Sequence, residues 1–177
     1  MKLIPARSAH LREIRRIYNE AFPLSERRPF WINERLVRAG KLELLTNEGA
    51  QPVCMACVAR WKDLALVDYF AVDSRARGGG YGTAALRAIA QRYAGMRLFL
   101  EIEAPPADAA PNDIRRRRKA FYLRCGYVDT GILLDVFGVP MELLCFRCSV
   151  SFEEYHELYH GVFGARTAHY IRLAPQP

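Results

Sequence analysis

Residues Arg75 to Leu86 read RARGGGYGTAAL. Gly78, Gly79, Gly80 and Gly82 fall within five positions, with Tyr81 between them. The run separates an apolar stretch, LALVDYFAV, from a helix-like one, AALRAIAQRYA. A strand that enters a helix through glycines makes a distinct chemical object. The N–H groups of a helix's first turn have no intrahelical acceptor, and the helix dipole makes the spot they face positive. Glycine lets the backbone take unusual dihedrals and lets an anion come close. Arg75 and Arg77 add charge. The chemistry indicated is binding of phosphate or pyrophosphate. The nucleotide-binding loop Gly-x4-Gly-Lys-Ser/Thr is not met, because no lysine is present. The fingerprint Gly-x-Gly-x-x-Gly fails at Thr83. A plain flexible turn is the other reading of the loop.

Further stretches carry reactive side chains. In RLFLEIEAPP a strand places Leu98, Leu100 and Ile102 on one face and Phe99, Glu101 and Glu103 on the other, so two carboxylates share a face. The run RRRRK, Arg115 to Lys119, sends cations all round a helix. Ile114, Phe121 and Cys125 are expected to mark its buried stripe. Arg118 falls near that stripe and needs an acidic partner, Glu101 or Glu103. Arg116 and Lys119 are expected on a solvated basic face.

His156-Glu-Leu-Tyr-His160 has the His-Glu-x-x-His pattern of a zinc helix. A third ligand is missing: no Asp or Glu follows Glu157, and His169 does not fit the longer form. No metal site is expected, and the segment reads as an amphipathic helix packing Phe152, Tyr155, Leu158 and Tyr159. Cys54-Met-Ala-Cys57 and Cys145-Phe-Arg-Cys148 sit in apolar strand-like runs and read as buried thiols rather than zinc knuckles.

These groups need a scaffold. The chain has 177 residues, 51% hydrophobic and 25% charged, which suits one domain with a full core. The net charge of +7 favours an anionic partner: nucleic acid, a membrane surface or a phosphorylated cofactor. No run of about eighteen apolar residues occurs, so no membrane span is expected. The first residues lack the apolar core of a secretory signal, and the five cysteines are expected reduced, so a cytoplasmic protein is expected.

Strands are expected at 2–6, 41–46, 53–60, 64–72, 97–103, 127–134 and 141–148. Helices are expected at 10–21, 30–39, 81–94, 114–125 and 152–160. The order is β-α-α-β-β-β-α-β-α-β-β-α, and ARTAHYIRLAPQP is not placed. The helix between the strands ending at Val72 and beginning at Arg97 is a crossover, so those two can be parallel while hairpin-linked neighbours are antiparallel.

Arg77-Gly-Gly-Gly80-Tyr-Gly82 resembles the Arg/Gln-x-x-Gly-x-Gly/Ala signature of the GNAT superfamily of acyl-CoA N-acyltransferases. DYFAVDSRARGGGYGTAALRAI is similar to that family's coenzyme A-binding strand, loop and helix. FLEIE resembles the next strand, and AFYLRCGY, Ala120 to Tyr127, the helix ending in Tyr-x-x-x-Gly-Phe/Tyr. The resemblance spans roughly residues 1 to 147.

It implies an α/β (α+β) single domain: a mixed, mainly antiparallel sheet with a splayed central parallel strand pair and flanking helices. Residues 1–148 would form the acyltransferase domain and 149–177 a C-terminal helical extension packed on it. The resemblance implies acetyl-CoA as co-substrate and an amine acceptor attacking it directly in a ternary complex. The loop amides of Arg77, Gly78, Gly79, Gly80, Tyr81, Gly82 and Thr83 would hold the pyrophosphate. The main chain of Phe70, Ala71 and Val72 would pair with the pantetheine arm. Tyr122 would protonate the departing thiolate, unless it is simply a core aromatic.

The family often has Asn and Ala seven and four residues before that tyrosine. Arg115 and Arg118 stand there, and Arg115 could instead reach a cofactor phosphate. Glu101 or Glu103 could bind the ammonium group and draw off its proton, because only a neutral amine attacks. A structural ion pair with the arginine run is the other reading of these acids. Glu26 is a weaker candidate near the acceptor pocket. A basic nucleic-acid-binding module and a zinc hydrolase using His156, Glu157 and His160 stand as alternatives. The acceptor, the acyl chain and homodimer formation stay open.

Overall fold

The computed structural model of the chain describes residues 1–24 and 26–174. The described elements are β1 (Leu3–Pro5), α1 (Leu11–Ala21), α2 (Phe30–Arg38), β2 (Leu42–Asn47), β3 (Cys54–Trp61), β4 (Leu64–Val72), α3 (Tyr81–Arg92), β5 (Arg97–Glu103), α4 (Ile114–Arg124), β6 (Tyr127–Val136), β7 (Val139–Phe146), α5 (Phe152–Phe163), α6 (Ala165–Ala168) and β8 (Ile171–Leu173), with short 3-10 turns at Ser8–His10 and Ser74–Ala76. The strands form one mixed sheet in the order β1-β2-β3-β4-β5-β7-β6-β8. It is mostly antiparallel with a parallel β4–β5 pair and flanking helices, as the crossover at α3 requires. Two compact units divide the chain: residues 1–60 with 67–94, and residues 61–66 with 95–177, so that β4 begins in the second and ends in the first.

In the first unit β2 pairs antiparallel with β1 and with β3. Residues 54–59 of β3 are all buried, as a strand covered on both faces must be, and this run contains Cys54 and Cys57. Helix α1 buries Ile14, Ile17 and Tyr18, the stripe its spacing predicts. The loop after α1 is tied down by aromatic hydroxyls. Tyr18 donates to the Arg28 carbonyl (2.9 Å), and the Tyr69 hydroxyl takes the Arg28 N–H (3.1 Å) while donating to the Glu26 carbonyl (2.9 Å). The Arg28 guanidinium forks onto Asp68 at 2.9 and 3.1 Å.

In the second unit β7 lies between β5 and β6, and β8 adds to the far side of β6. The β6–β7 hairpin turns at Phe137 and Gly138, both at positive φ (54° and 83°), the combination a two-residue type I′ turn needs. Helix α5 starts with a reciprocal cap: Ser151 Oγ accepts the Glu154 N–H (3.3 Å) and a Glu154 carboxylate oxygen accepts the Ser151 N–H (2.9 Å). It buries Tyr155, Leu158, Tyr159 and Val162 and runs to Phe163, three residues past the expected end. The unplaced stretch forms α6 and β8, and residues 175–177 lie outside the described residues.

The expected face of α4 is corrected. Ile114 is 65% exposed and Tyr122 is the buried residue of the helix. The half-buried face carries charges, which ion pairs make tolerable. Lys119, expected on the solvated side, bridges Asp129 (2.6 Å) and Glu142 (2.9 Å). Arg116 is exposed as expected and reaches the carbonyls of Ala109 and Ala107.

Candidate active site

In the first unit β4 runs out at Phe70, Ala71 and Val72, with Ala71 buried and its two neighbours half-buried. Asp73 then turns the chain. Its carboxylate accepts the Arg75 N–H (3.0 Å) and is gripped by the guanidinium groups of Arg75 (2.7 Å) and Arg16 (2.5 Å). The Arg75 pairing, with help from Arg16, holds the Asp73 carboxyl well below the usual carboxylate range. Arg16 also binds Glu13 and Glu20, so α1 and the turn form one network. Arg75 is thereby committed to carboxylates. Arg77 is exposed, reaches the Val72 carbonyl (3.5 Å), and pairs with no acid among the described residues.

Residues Arg77 to Tyr81 are exposed, and Gly82 and Thr83 half-buried. Gly78 and Gly80 sit at φ +82° and +75°. A Cβ there would meet nothing within 4 Å, so the need for glycine is conformational. At Gly79 a Cβ would strike the Tyr81 ring at 2.9 Å. Gly80 is the N-cap of α3, no side chain caps that end, and no acid lies in the first turn. An exposed helix terminus of this kind suits an anion.

In the second unit the two same-face acids of β5 have separate partners. Glu103 takes a guanidinium N–H of Arg115 at 3.1 Å. Arg115 is also clasped by Asp113, the N-cap of α4, which accepts its backbone N–H (2.7 Å) and two side-chain N–H groups (3.0 and 2.8 Å). Arg115 holds the Asp113 carboxyl down at about 2. The ion-pair reading thus describes Glu103, with Arg115 rather than Arg118 as its partner. Glu101 is held otherwise: its two oxygens accept from the hydroxyls of Tyr155 and of Tyr159 (2.7 Å), both on α5.

Tyr122 lies at the C-terminal end of α4 beside Phe121 and Tyr127, ring centroids 5.3 and 5.9 Å away. Burial pushes its phenol up to about 12. Its hydroxyl makes no hydrogen bond among the described residues, so it keeps its proton at neutral pH and has no internal acceptor for it. The structure thus groups Asp113, Arg115 and Glu103, and Glu101 with two phenols. Sequence reasoning does not single out these two phenols as site residues. Their signal was present, since tyrosines four apart share a helix face.

The zinc pattern is engaged in other contacts. A ring nitrogen of His156 meets the Ala168 carbonyl (3.1 Å), and Glu157 pairs with Lys62. Among the described residues no three His, Cys, Asp or Glu side chains gather as a metal site would require. No helix is long and apolar enough to cross a membrane. All five cysteines are free thiols, with Cys54, Cys57 and Cys145 buried.

Comparison with known proteins gives one sequence match and many structural ones. The profile of the acetyltransferase (GNAT) family matches residues 11–127. No curated protein matches the sequence. A protein from Bacteroides thetaiotaomicron described as an acetyltransferase of the GNAT family superposes with a TM-score of 0.78 at 20% identity, over 93% of this chain and 99% of that one. An aminoglycoside 6′-N-acetyltransferase complexed with coenzyme A gives 0.65 at 13% identity, over 85% and 100%. The ribosomal-protein-S18-alanine N-acetyltransferase from Escherichia coli gives 0.57 at 17%, over 85% and 97%.

Proposed function

Because the chain belongs to the acetyltransferase (GNAT) family of acyl-CoA-dependent N-acetyltransferases, with acetyl-CoA as co-substrate, we propose that it acetylates an amine by direct attack within a ternary complex. The observation that carries this is the exposed, uncapped start of α3, opened by Gly78 and Gly80 and free of acids. The amides of Arg77 to Thr83 hold the pyrophosphate there, and the exposed Arg77 guanidinium adds charge. The main chain of Phe70, Ala71 and Val72 guides the pantetheine arm.

The amine must be neutral to attack, so a carboxylate first binds the ammonium group and then takes its proton, directly or through water. Of the two acids we choose Glu101, whose two oxygens are oriented by phenol donors, over Glu103, which is ion-paired with Arg115. The nitrogen lone pair forms the new bond to the acetyl carbonyl carbon, the carbon–sulfur bond breaks and the thiolate takes a proton from Tyr122, while the second nitrogen proton, shed as the amide forms, returns to the Tyr122 oxygen directly or through water. A phenol near 12 is a weak enough acid to arrive protonated. Arg115 joins the cofactor site only by leaving one of its two carboxylates.

The names of two structural neighbours give an aminoglycoside and a ribosomal protein S18 alanine as acceptors. The acceptor here is placed in the same broad class, an amine. We place residues 1–148 in the catalytic domain, 149–177 in an extension of it, and the protein in the cytoplasm, where acetyl-CoA is available.

The test is a thermal melt with and without saturating acetyl-CoA, on the native chain and on Gly80→Glu. At about a hundred times Kd a ligand stabilises by roughly 2.7 kcal/mol, a shift on the order of 5–10 °C for a chain of this size. The native chain shifts and the variant does not. The readout is the ligand-dependent difference, so backbone strain in the variant cancels. No shift in the native chain would overturn the reading.

A further inference from the structure

The family profile ends at residue 127, yet a carboxylate of β5 is held from beyond it. Tyr155 and Tyr159 stand one turn apart on α5, their rings 5.0 Å apart, and each hydroxyl donates to a different oxygen of Glu101. Tyr155 is fully buried and packs edge-on to Phe99, the next residue on Glu101's face of β5. Burial and the Glu101 charge push the Tyr155 phenol well above its ordinary value, so it stays a donor.

Two phenol donors on one carboxylate do two things. They fix its plane, because each oxygen has its own rigid partner. They also favour the anion, since hydrogen bonds to the charged form stabilise it. A group needed only to anchor a helix does not require half-exposure, and Glu101 is only partly buried. On its own strand face Glu103 is neutralised by Arg115 of α4, and across β7 its register partner is the apolar Leu143.

We infer that Tyr155 and Tyr159 are positioning residues for acetyl transfer: helix α5 holds the Glu101 carboxylate oriented as the anchor for a cationic acceptor. This rests on reading Glu101 as the acceptor-side carboxylate. It gives the segment beyond the family match a task in the reaction, and it assigns the acceptor to amines that arrive protonated.

The experiment measures thiol release from acetyl-CoA against pH with spermidine, kanamycin and an alanine-ended peptide as probes. The native chain is compared with Glu101→Gln, Tyr155→Phe, Tyr159→Phe, the double phenylalanine variant and Tyr170→Phe, an exposed phenol elsewhere. Binding of acetyl-CoA is measured alongside. The expected result is a loss of about 100-fold in kcat/KM for Glu101→Gln. The double variant loses about 10-fold and its acidic limb moves up by about one pH unit, because the lost donors favoured the anion. Acetyl-CoA affinity and the Tyr170→Phe profile stay unchanged. If the double variant does not fold, each single variant shows part of the same displacement. A slow Glu101→Gln with an unmoved acidic limb in the phenylalanine variants overturns the inference and leaves the reading of Glu101 standing. A Glu101→Gln as fast as the native chain, or no turnover with any amine, overturns that reading and the inference with it.

Discussion

The guanidinium of Arg16 on α1 reaches the buried carboxylate of Asp73, the residue that turns the chain out of β4 toward the glycine loop. A helix at the start of the chain therefore fixes the base of the candidate pyrophosphate cradle. Asp73→Asn keeps the shape but leaves Arg16 and Arg75 without their shared anion. The expected cost is about 1–3 kcal/mol at neutral pH, with acetyl-CoA bound roughly tenfold more weakly. Melts and calorimetric titration of the variant check both.

The same pair sets a pH dependence. The folded-state pKa of Asp73 is depressed below its unfolded value of about 3.9. A depressed carboxyl contributes stability that is fully present above the unfolded value and is lost as pH falls through the folded one. The stability gap between the native chain and Asp73→Asn should therefore be constant from neutral pH down to about 5 and shrink below about 4. Denaturant melts across that range test the sign.

Tyr122→Phe should lower kcat by about 100- to 10,000-fold, the range for loss of a general acid, while acetyl-CoA binding stays within about twofold. Because the phenol lies near 12, it should put no basic limb into the rate profile around neutral pH. Steady-state kinetics with a direct binding measurement separate the two effects.

Arg77→Ala should weaken acetyl-CoA binding by about tenfold and flatten its salt dependence. Stability without ligand should change by less than about 0.5 kcal/mol, because Arg77 is exposed and pairs with no acid among the described residues. Titrations at two salt concentrations check this.

On α5, a Cβ at Gly161 would lie 2.5 Å from the Trp61 ring. Gly161→Ala should destabilise by about 1–3 kcal/mol through overpacking, despite alanine's better helix propensity. A chemical denaturation curve settles it.

The stretch from β4 through the loop into α3 was legible, because an apolar strand, a glycine cluster and a periodic helix are three separate signals in register. β4 and β5 fall where the apolar runs place them. Helix α4 was less readable. Five consecutive cations carry no period, so the buried face was assigned to Ile114 when the acids of distant elements decide it. Arg115 turns to Glu103, and Lys119 to Asp129 and Glu142. The elements α6 and β8 are four and three residues long, too short for any periodicity to register. Tyr155 and Tyr159 read correctly as buried, yet that pattern records only that they pack. Their hydroxyls find Glu101 through the fold, more than fifty residues away.

The most direct test of the account is acetyl transfer itself. The chain is mixed with carbon-13 acetyl-CoA, first alone and then with the amine probes, and protein and small molecules are weighed by mass spectrometry. The account predicts no acetylated protein in the first mixture and labelled acetyl-amine with an equal amount of free thiol in the second. Stoichiometric acetylation of the protein before any amine is added would contradict direct attack, and the absence of labelled product with every amine would contradict the proposed reaction.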